Sequence, residues 1–248
     1  MSGKCEISKF PKCSYALQEG FNTLCTNLTF SGSGVKKVMI TSSHASEGKS
    51  LIAMNLMRTL SQLGHRVVLV DTDLRRSQIR AQYGIQLPEG NEQGLAHYLA
   101  GMCGIDDVVY ETNMANAYLV PVGREVKNSL QLLSGPRIGQ LLDTLNEYFD
   151  YVIVDAPPVG VIIDAAQIAK HCDGTLIVVR YRSVSKKALQ DMCAQLQSTG
   201  CPVLGAVLND VETDSIRSKY YYKKGYYSYY DREYDTDSRK RTQKKKKE

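Results

Sequence analysis

The chain has 248 residues, with 31 Lys plus Arg against 26 Asp plus Glu and a formal net charge of +5. Apolar residues make up 43% and charged residues 23%. That composition excludes a mostly disordered or fibrous chain and suits one α/β domain, or two small ones, whose core needs no disulfide staples. The charge is uneven: from Arg217 onward 12 basic residues face 5 acidic, a local +7, which leaves 19 basic and 21 acidic residues before it, or −2. A basic nucleic-acid-binding fold is thereby excluded, and no specific nucleic-acid partner is expected.

Leu17, Phe21, Leu24 and Leu28 recur at helical spacing and predict a helix over 17–30, the body of an N-terminal element of about 14–30. Ser31 to Gly34 breaks it. A short strand follows over 38–41, then a loop and a helix from about Lys49 to Leu63, which Gly64 ends. Val67 to Val70 is a second strand, wholly apolar, as strands of a parallel sheet covered on both faces are. The pattern then continues with strands at 118–121, 151–154, 175–179 and 203–208, and with helices near 137–148, 165–169 and 186–198. Strands alternating with helices predict an α/β fold, a doubly wound and mostly parallel sheet flanked by helices. From about Ser215 the apolar periodicity stops, so a domain over 1–214 and a disordered, Tyr-rich basic tail over 215–248 are expected.

Seven Cys, odd in number and without a C-x-x-C pair, argue against zinc or disulfide frameworks and for free thiols in a reducing cytosol. No apolar run reaches the roughly 18–20 residues of a membrane-spanning helix, and Met1 to Lys12 lacks a signal-peptide core. A soluble, cytoplasmic chain is expected, with any membrane location supplied by a partner. His65, His97 and His171 show no metal-ligand spacing.

Between the first predicted strand and its helix lies a loop ending Gly48-Lys49-Ser50, which matches the end of G-x-x-x-x-G-K-[ST], with Ser43 where the first Gly would be. In such a loop the backbone N–H groups and the helix N-terminus hold phosphates. The candidate nucleotide-binding residues are therefore Ser43, His44, Ala45, Ser46, Glu47, Gly48, Lys49, Ser50 and Leu51. Lys49 would reach the β- and γ-phosphates and the Ser50 hydroxyl would ligate magnesium; the His44 and Glu47 side chains read as solvated loop residues. The second strand runs into Asp71, Asp73 and Arg75, and a later strand into Asp155. Carboxylates at the C-terminal ends of parallel strands face the crevice of the phosphate loop, and magnesium takes one or two of them beside substrate phosphates. Their strands are expected beside the phosphate strand.

These three motifs, in this order, resemble the bacterial protein-tyrosine kinases, the cytoplasmic kinases of capsule and exopolysaccharide export. The likeness covers about 14–210 and includes Thr26-Asn27-Leu28, Gly94-Leu95 and Asp164-Ala165. It implies ATP and Mg2+ as cofactors, with Ser50, Asp73 and Asp155 as metal ligands, Lys49 and Arg75 as charge-neutralising groups and Asp71 as the base for an incoming tyrosine hydroxyl. Asp71 and Asp73 are interchangeable in these roles at the level of sequence. The family's autophosphorylation site is a C-terminal Tyr cluster, here Tyr220, Tyr221, Tyr222, Tyr226, Tyr227, Tyr229, Tyr230 and Tyr234. The implied partners are a transmembrane activator, a polysaccharide co-polymerase whose cytoplasmic C-terminal segment recruits the kinase to the inner membrane face, and a cognate tyrosine phosphatase.

Self-association is implied too, through a ring that uses E-x-x-R-x-x-R on the first helix. Only Glu19 keeps that pattern here; Asn22 and Cys25 replace the two Arg, and neither offers bidentate pairing to a carboxylate. The phosphate loop carries Ala45 and Ser46 in the family's Pro-Gly region, and Arg124 to Lys127 stands where a Pro-rich stretch is usual. Two other readings compete: a deviant-Walker partitioning or septum-positioning ATPase, whose signature Lys aligns with His44, and a nucleotide-binding scaffold with vestigial activity.

Overall fold

The computed structural model describes residues 3–90, 92–159 and 164–211. Its strands are β1 (Lys4–Ile7), β2 (Lys37–Ser42), β3 (Val67–Asp71), β4 (Ile85–Gln86), β5 (Tyr110–Thr112), β6 (Ala117–Val120), β7 (Tyr151–Asp155), β8 (Gly174–Arg180) and β9 (Val203–Asn209). Its helices are α1 (Tyr15–Phe30), α2 (Lys49–Gln62), α3 (Ile79–Tyr83), α4 (Leu95–Leu99), α5 (Ser129–Leu133), α6 (Pro136–Tyr148), α7 (Asp164–Ala169) and α8 (Lys186–Gln197). The predicted 215–248 tail, with its eight tyrosines, lies outside the described residues.

The strands form one sheet in the order β4-β1-β5-β6-β3-β7-β2-β8-β9. The β1–β4 and β5–β6 pairs are antiparallel and the others parallel, so the doubly wound α/β fold is the observed one. Alternation along each strand feeds two cores. Val67, Leu69 and Ile153 join a cluster under α1, α2 and α3. Val68, Val70, Val152 and Val154 join a second cluster under α4 to α8. Burial on both faces explains why these strands read as unbroken apolar runs.

Three features depart from the sequence expectation. β7 lies between β2 and β3, so Asp155 ends a strand beside the phosphate strand whereas Asp71 ends a strand one place further off. β1, β4, β5 and the short helices α3, α4 and α5 were not expected; each has five residues or fewer, too short for a periodic signal. On α1, Ser14 caps the helix by accepting from the Leu17 N–H at 3.3 Å. Cys25, where the ring pattern has an Arg, is buried in the core beneath α1, while Asn22 donates to Glu19 Oε1 on the same helix at 2.9 Å.

Gly94 enters α4 where the chain crosses the end of β6, and Leu95 N–H donates to Pro121 O at 2.8 Å. A Cβ on Gly94 would lie 2.4 Å from both Pro121 O and Gly123 N, backbone atoms that cannot swing aside. Gly94→Ala should therefore cost about 1–3 kcal/mol. Gly20, exposed on α1 with nothing near its missing Cβ, should behave oppositely, and Gly20→Ala should add about 0.5–1 kcal/mol. Urea unfolding of the two variants, with unchanged slopes, reads both signs.

Candidate functional site

The site forms where β2, β3 and β7 end. β3 and β7 run in register, with Asp71 opposite Asp155. Thr72 locks their ends together, its N–H and hydroxyl both donating to Asp155 O, at 2.9 and 2.8 Å. The chain after β2 turns into α2 through Gly48, whose φ of +94° belongs to the left-handed region. A Cβ there would stand 2.1 Å from Asn209 Nδ2. Glycine is required at this point for its conformation and for the space.

Four of the predicted residues converge at the start of α2. Lys49 Nζ donates to Asp73 Oδ2 at 3.3 Å. Ser50 Oγ donates to Asp155 Oδ2 at 2.6 Å, and Asp155 Oδ1 is buried without a partner. Burial pulls the Lys49 ammonium down, but the carboxylates of Asp155, Asp73 and Asp71 outweigh it and leave it above its ordinary value. Asp155 is displaced upward, first by burial and then by Asp73, against the opposing pull of Lys49 and Ser50. Beside the cluster opens a cavity of about 580 Å³ lined by Ser46, Gly48, Lys49, Ser50, Leu51, Gln78, Ala81 and Gln82.

Asp71 faces a second cavity, of about 470 Å³, with Ser77, Arg80, Ala81 and Glu125 among its walls. Ser77 Oγ donates to Asp71 Oδ2 at 2.5 Å and Asp73 N–H donates to Oδ1 at 3.2 Å. Burial, followed by the charge of Asp155, pushes the Asp71 carboxyl up to about 8. Ala81 of α3 lines both cavities.

Arg75 is placed apart from this cluster. Its Nε donates to Ser129 Oγ at 2.6 Å and to Asp164 Oδ2 at 3.2 Å, and Ser129 Oγ donates to the same Asp164 oxygen. Asp164 Oδ1 is buried without a partner. The His44 side chain meets the Ser43 hydroxyl at 2.7 Å, and His44, Ala45 and Ser46 are exposed. Ser46 has φ +64°, the left-handed backbone that glycine adopts more easily.

Glu47 corrects the reading of a solvated side chain: only 2% exposed, its Oε2 accepts from Ser43 N–H at 2.8 Å, Ser43 Oγ at 3.2 Å and His44 N–H at 3.0 Å. Its Oε1 accepts from Ser183 Oγ at 2.9 Å, and Asn209 Nδ2 donates to its carbonyl at 2.9 Å. Ser183 and Asn209 thus support the phosphate loop from the ends of β8 and β9. Sequence reading missed both. The available signal for Asn209 was a polar residue closing an apolar strand; Ser183 gave none.

The residues present fit a nucleotide phosphate with a divalent cation. A left-handed Gly48 opens the loop, an ammonium stands at the helix start, and an orphaned carboxylate oxygen on Asp155 lies beside the Ser50 hydroxyl. Hard oxygen donors of this kind suit magnesium. Among the described residues no group of three or more His, Cys, Asp or Glu is arranged to hold a metal ion by itself.

Residues 35–200 match the AAA domain family. The tyrosine-protein kinase CpsD of Streptococcus pneumoniae serotype 4 is 33% identical over 195 residues, spanning 79% of this chain and 85% of that protein. The kinase domain of the Escherichia coli tyrosine kinase ETK superposes with a TM-score of 0.75 at 28% identity, covering 80% of this chain and 77% of that one. The septum site-determining protein MinD of Pyrococcus horikoshii, complexed with Mg-ADP, superposes with a TM-score of 0.59 at 23% identity over 70% of each chain, a likeness of fold.

Two outcomes follow for the site. Because Asp71 holds its proton to about pH 8 when folded and only to about pH 4 when unfolded, the folded state binds more protons between those values. The metal-free protein should lose stability as pH rises from about 4 to 8. Asp71→Asn should flatten that slope in thermal melts taken across the range. Glu47→Ala should leave the Ser43 and His44 N–H groups unpaired, costing about 1–3 kcal/mol, and should weaken ATP binding about tenfold in calorimetry.

Proposed function

The chain belongs to the bacterial protein-tyrosine kinases, and we propose that it transfers the γ-phosphoryl group of ATP to tyrosines of its own C-terminal segment in the control of capsular or exopolysaccharide synthesis. The observation that carries this reading is a pair of cavities with Ala81 of α3 on the wall of each. One is walled by the phosphate loop and the other has the Asp71 carboxylate on its wall.

The loop N–H groups and Lys49 would hold the phosphates, with Ser50, Asp73 and Asp155 placed for magnesium. Magnesium, when bound, supplies the charge that neutralises the phosphoryl oxygens during transfer. Lys49 adds its ammonium to the same oxygens. Its contact with Asp73 fixes where that ammonium sits before ATP arrives. Asp71 would be the base in its ionised form, which burial and Asp155 disfavour in the cation-free protein and the charge of a bound cation would restore: a tyrosine hydroxyl, with an ordinary pKa of about 10, is a poor nucleophile until a carboxylate takes its proton. The Ser77 hydroxyl and the Asp73 N–H orient that carboxylate. Arg75 is a positioning residue, tying the turn after β3 to Asp164 and Ser129.

The acceptors are drawn from Tyr220, Tyr221, Tyr222, Tyr226, Tyr227, Tyr229, Tyr230 and Tyr234. Among the described residues no helix is long and apolar enough to cross a membrane. Recruitment to the inner membrane face therefore falls to a transmembrane activator with a cytoplasmic segment, and reversal to a tyrosine phosphatase. The ADP-bound MinD relative shares the fold, and an ATPase of that class would hydrolyse ATP without marking tyrosine.

Purified chain incubated with ATP and magnesium, then probed for phosphotyrosine, separates the readings. Tail phosphorylation is expected, with or without the activator's cytoplasmic segment. Lys49→Met should abolish both that signal and ATP turnover, and Asp71→Asn should lower transfer about 100-fold or more with ATP binding retained. ATP turnover without any phosphotyrosine would sink the kinase reading in favour of the ATPase.

A further inference from the structure

The loop after β6 borders the Asp71 cavity and is fixed from both sides. Pro121 O and Val122 O accept from the Leu95 and Ala96 N–H groups at 2.8 and 3.1 Å, and Val126 N–H donates to Leu74 O at 2.9 Å. Glu125 lies between these anchors, exposed, on the wall of the cavity of about 470 Å³. Among the described residues its carboxylate makes no ion pair. A charge without a partner is thus carried on a backbone that cannot drift away from the cavity.

The other charged groups on that wall are engaged. Arg80 Nη2 is paired with Glu92 Oε1 at 2.7 Å, and Asp71 is held by the Ser77 hydroxyl and the Asp73 N–H. Arg124 and Lys127 are exposed neighbours in the loop and do not line the cavity. Ile79, Ile85, Leu119 and Val122 add buried apolar wall, which suits a phenol ring and offers no partner to a charge beside it. A cationic side chain next to an acceptor tyrosine would find the Glu125 carboxylate, and an anionic one would be repelled by it.

Tyrosines of both kinds occur in the C-terminal segment. Lys219 precedes Tyr220 and Lys223 follows Tyr222, whereas Asp231 follows Tyr230, and Glu233 and Asp235 enclose Tyr234. We propose that Glu125 is a specificity residue of the acceptor cavity, selecting the lysine-flanked Tyr220, Tyr221 and Tyr222 over the acid-flanked Tyr230 and Tyr234. The assignment rests on the kinase reading of the site and adds to it a preference among acceptors. Glu125 touches no reacting atom; it acts on the residues beside the phenol, while Asp71 serves every acceptor alike. Attraction of one class and repulsion of the other both widen the same ratio.

The test uses the full-length chain with the tyrosines from Tyr220 to Tyr234 changed to Phe, given ATP, magnesium and one of two synthetic peptides. One peptide copies 218–226 with Tyr222 as its single tyrosine, and the other copies 230–238 with Tyr234 as its single tyrosine, Phe filling the remaining Tyr positions. The lysine-flanked peptide should have a kcat/KM about tenfold above that of the acid-flanked one. Glu125→Gln should shrink this ratio to about twofold or less, and Glu125→Lys should invert it. A general loss of folding or of ATP binding would lower both values together and leave their ratio unmoved. A ratio near one in the parent chain, or the same ratio in the parent and both variants, overturns the assignment while the kinase reading stands. ATP turnover with phosphotyrosine on neither peptide overturns both.

Discussion

Three carboxylates, Asp71, Asp73 and Asp155, are buried at the C-terminal edge of the sheet, and among the described residues the ammonium set against them is that of Lys49. Two like charges 4 Å apart repel by about 4 kcal/mol at the effective dielectric of a protein surface, and deeper burial strengthens the effect. The metal-free molecule relieves this strain by keeping protons that exposed carboxyls would release, Asp71 above all. A site in that condition is poised for cations. Any divalent ion brought in with a phosphate would offset that repulsion, so ligand binding and stability are linked through the same few atoms.

That cluster can exist only because its supports are rigid. Carboxylates at the ends of buried strands cannot swing away from one another, since Thr72 fastens β3 to β7 and the registered pair Asp71 and Asp155 follows from the sheet itself. The phosphate loop is fixed in the same manner. Glu47 turns inward to occupy the N–H groups of Ser43 and His44, and Ser183 and Asn209 hold Glu47 from two neighbouring strands. This network explains how the loop holds its shape with Ser at positions 43 and 46. The left-handed turn at Ser46 costs about 1–2 kcal/mol, and four hydrogen bonds to one buried carboxylate are enough to offset it.

Legibility in the sequence followed the length of each signal. β2, β3, β7 and β8 are apolar throughout their centres and were readable, as were α2, α6 and α8, because burial on both sheet faces leaves an unbroken pattern. β1, β4 and β5 were not, since four, two and three residues carry no period and their pairing is decided by neighbours distant in sequence. In the site, Gly48-Lys49-Ser50 and the acidic strand ends were visible because their chemistry is local. The order of β3, β7 and β2 was not visible, nor was the inward turn of Glu47, whose partners Ser183 and Asn209 lie 136 and 162 residues away. Arg75 shows the limit most plainly: its place in a motif suggested phosphate contact, and its position in space was settled by Asp164, 89 residues further along.

What separates phosphoryl transfer to tyrosine from transfer to water is the second cavity. A hydrolase needs room for one water beside the phosphate. Here about 470 Å³ opens against Asp71, within the range of 300–1,000 Å³ that holds substantial ligands. Charge favours the same outcome. The chain before Arg217 carries −2 and the segment from Arg217 onward +7, so a slightly acidic body and a basic, tyrosine-rich segment belong to one chain. Each phosphate adds about −1.5 to −2, so four phosphotyrosines would bring the +7 of the segment to about zero.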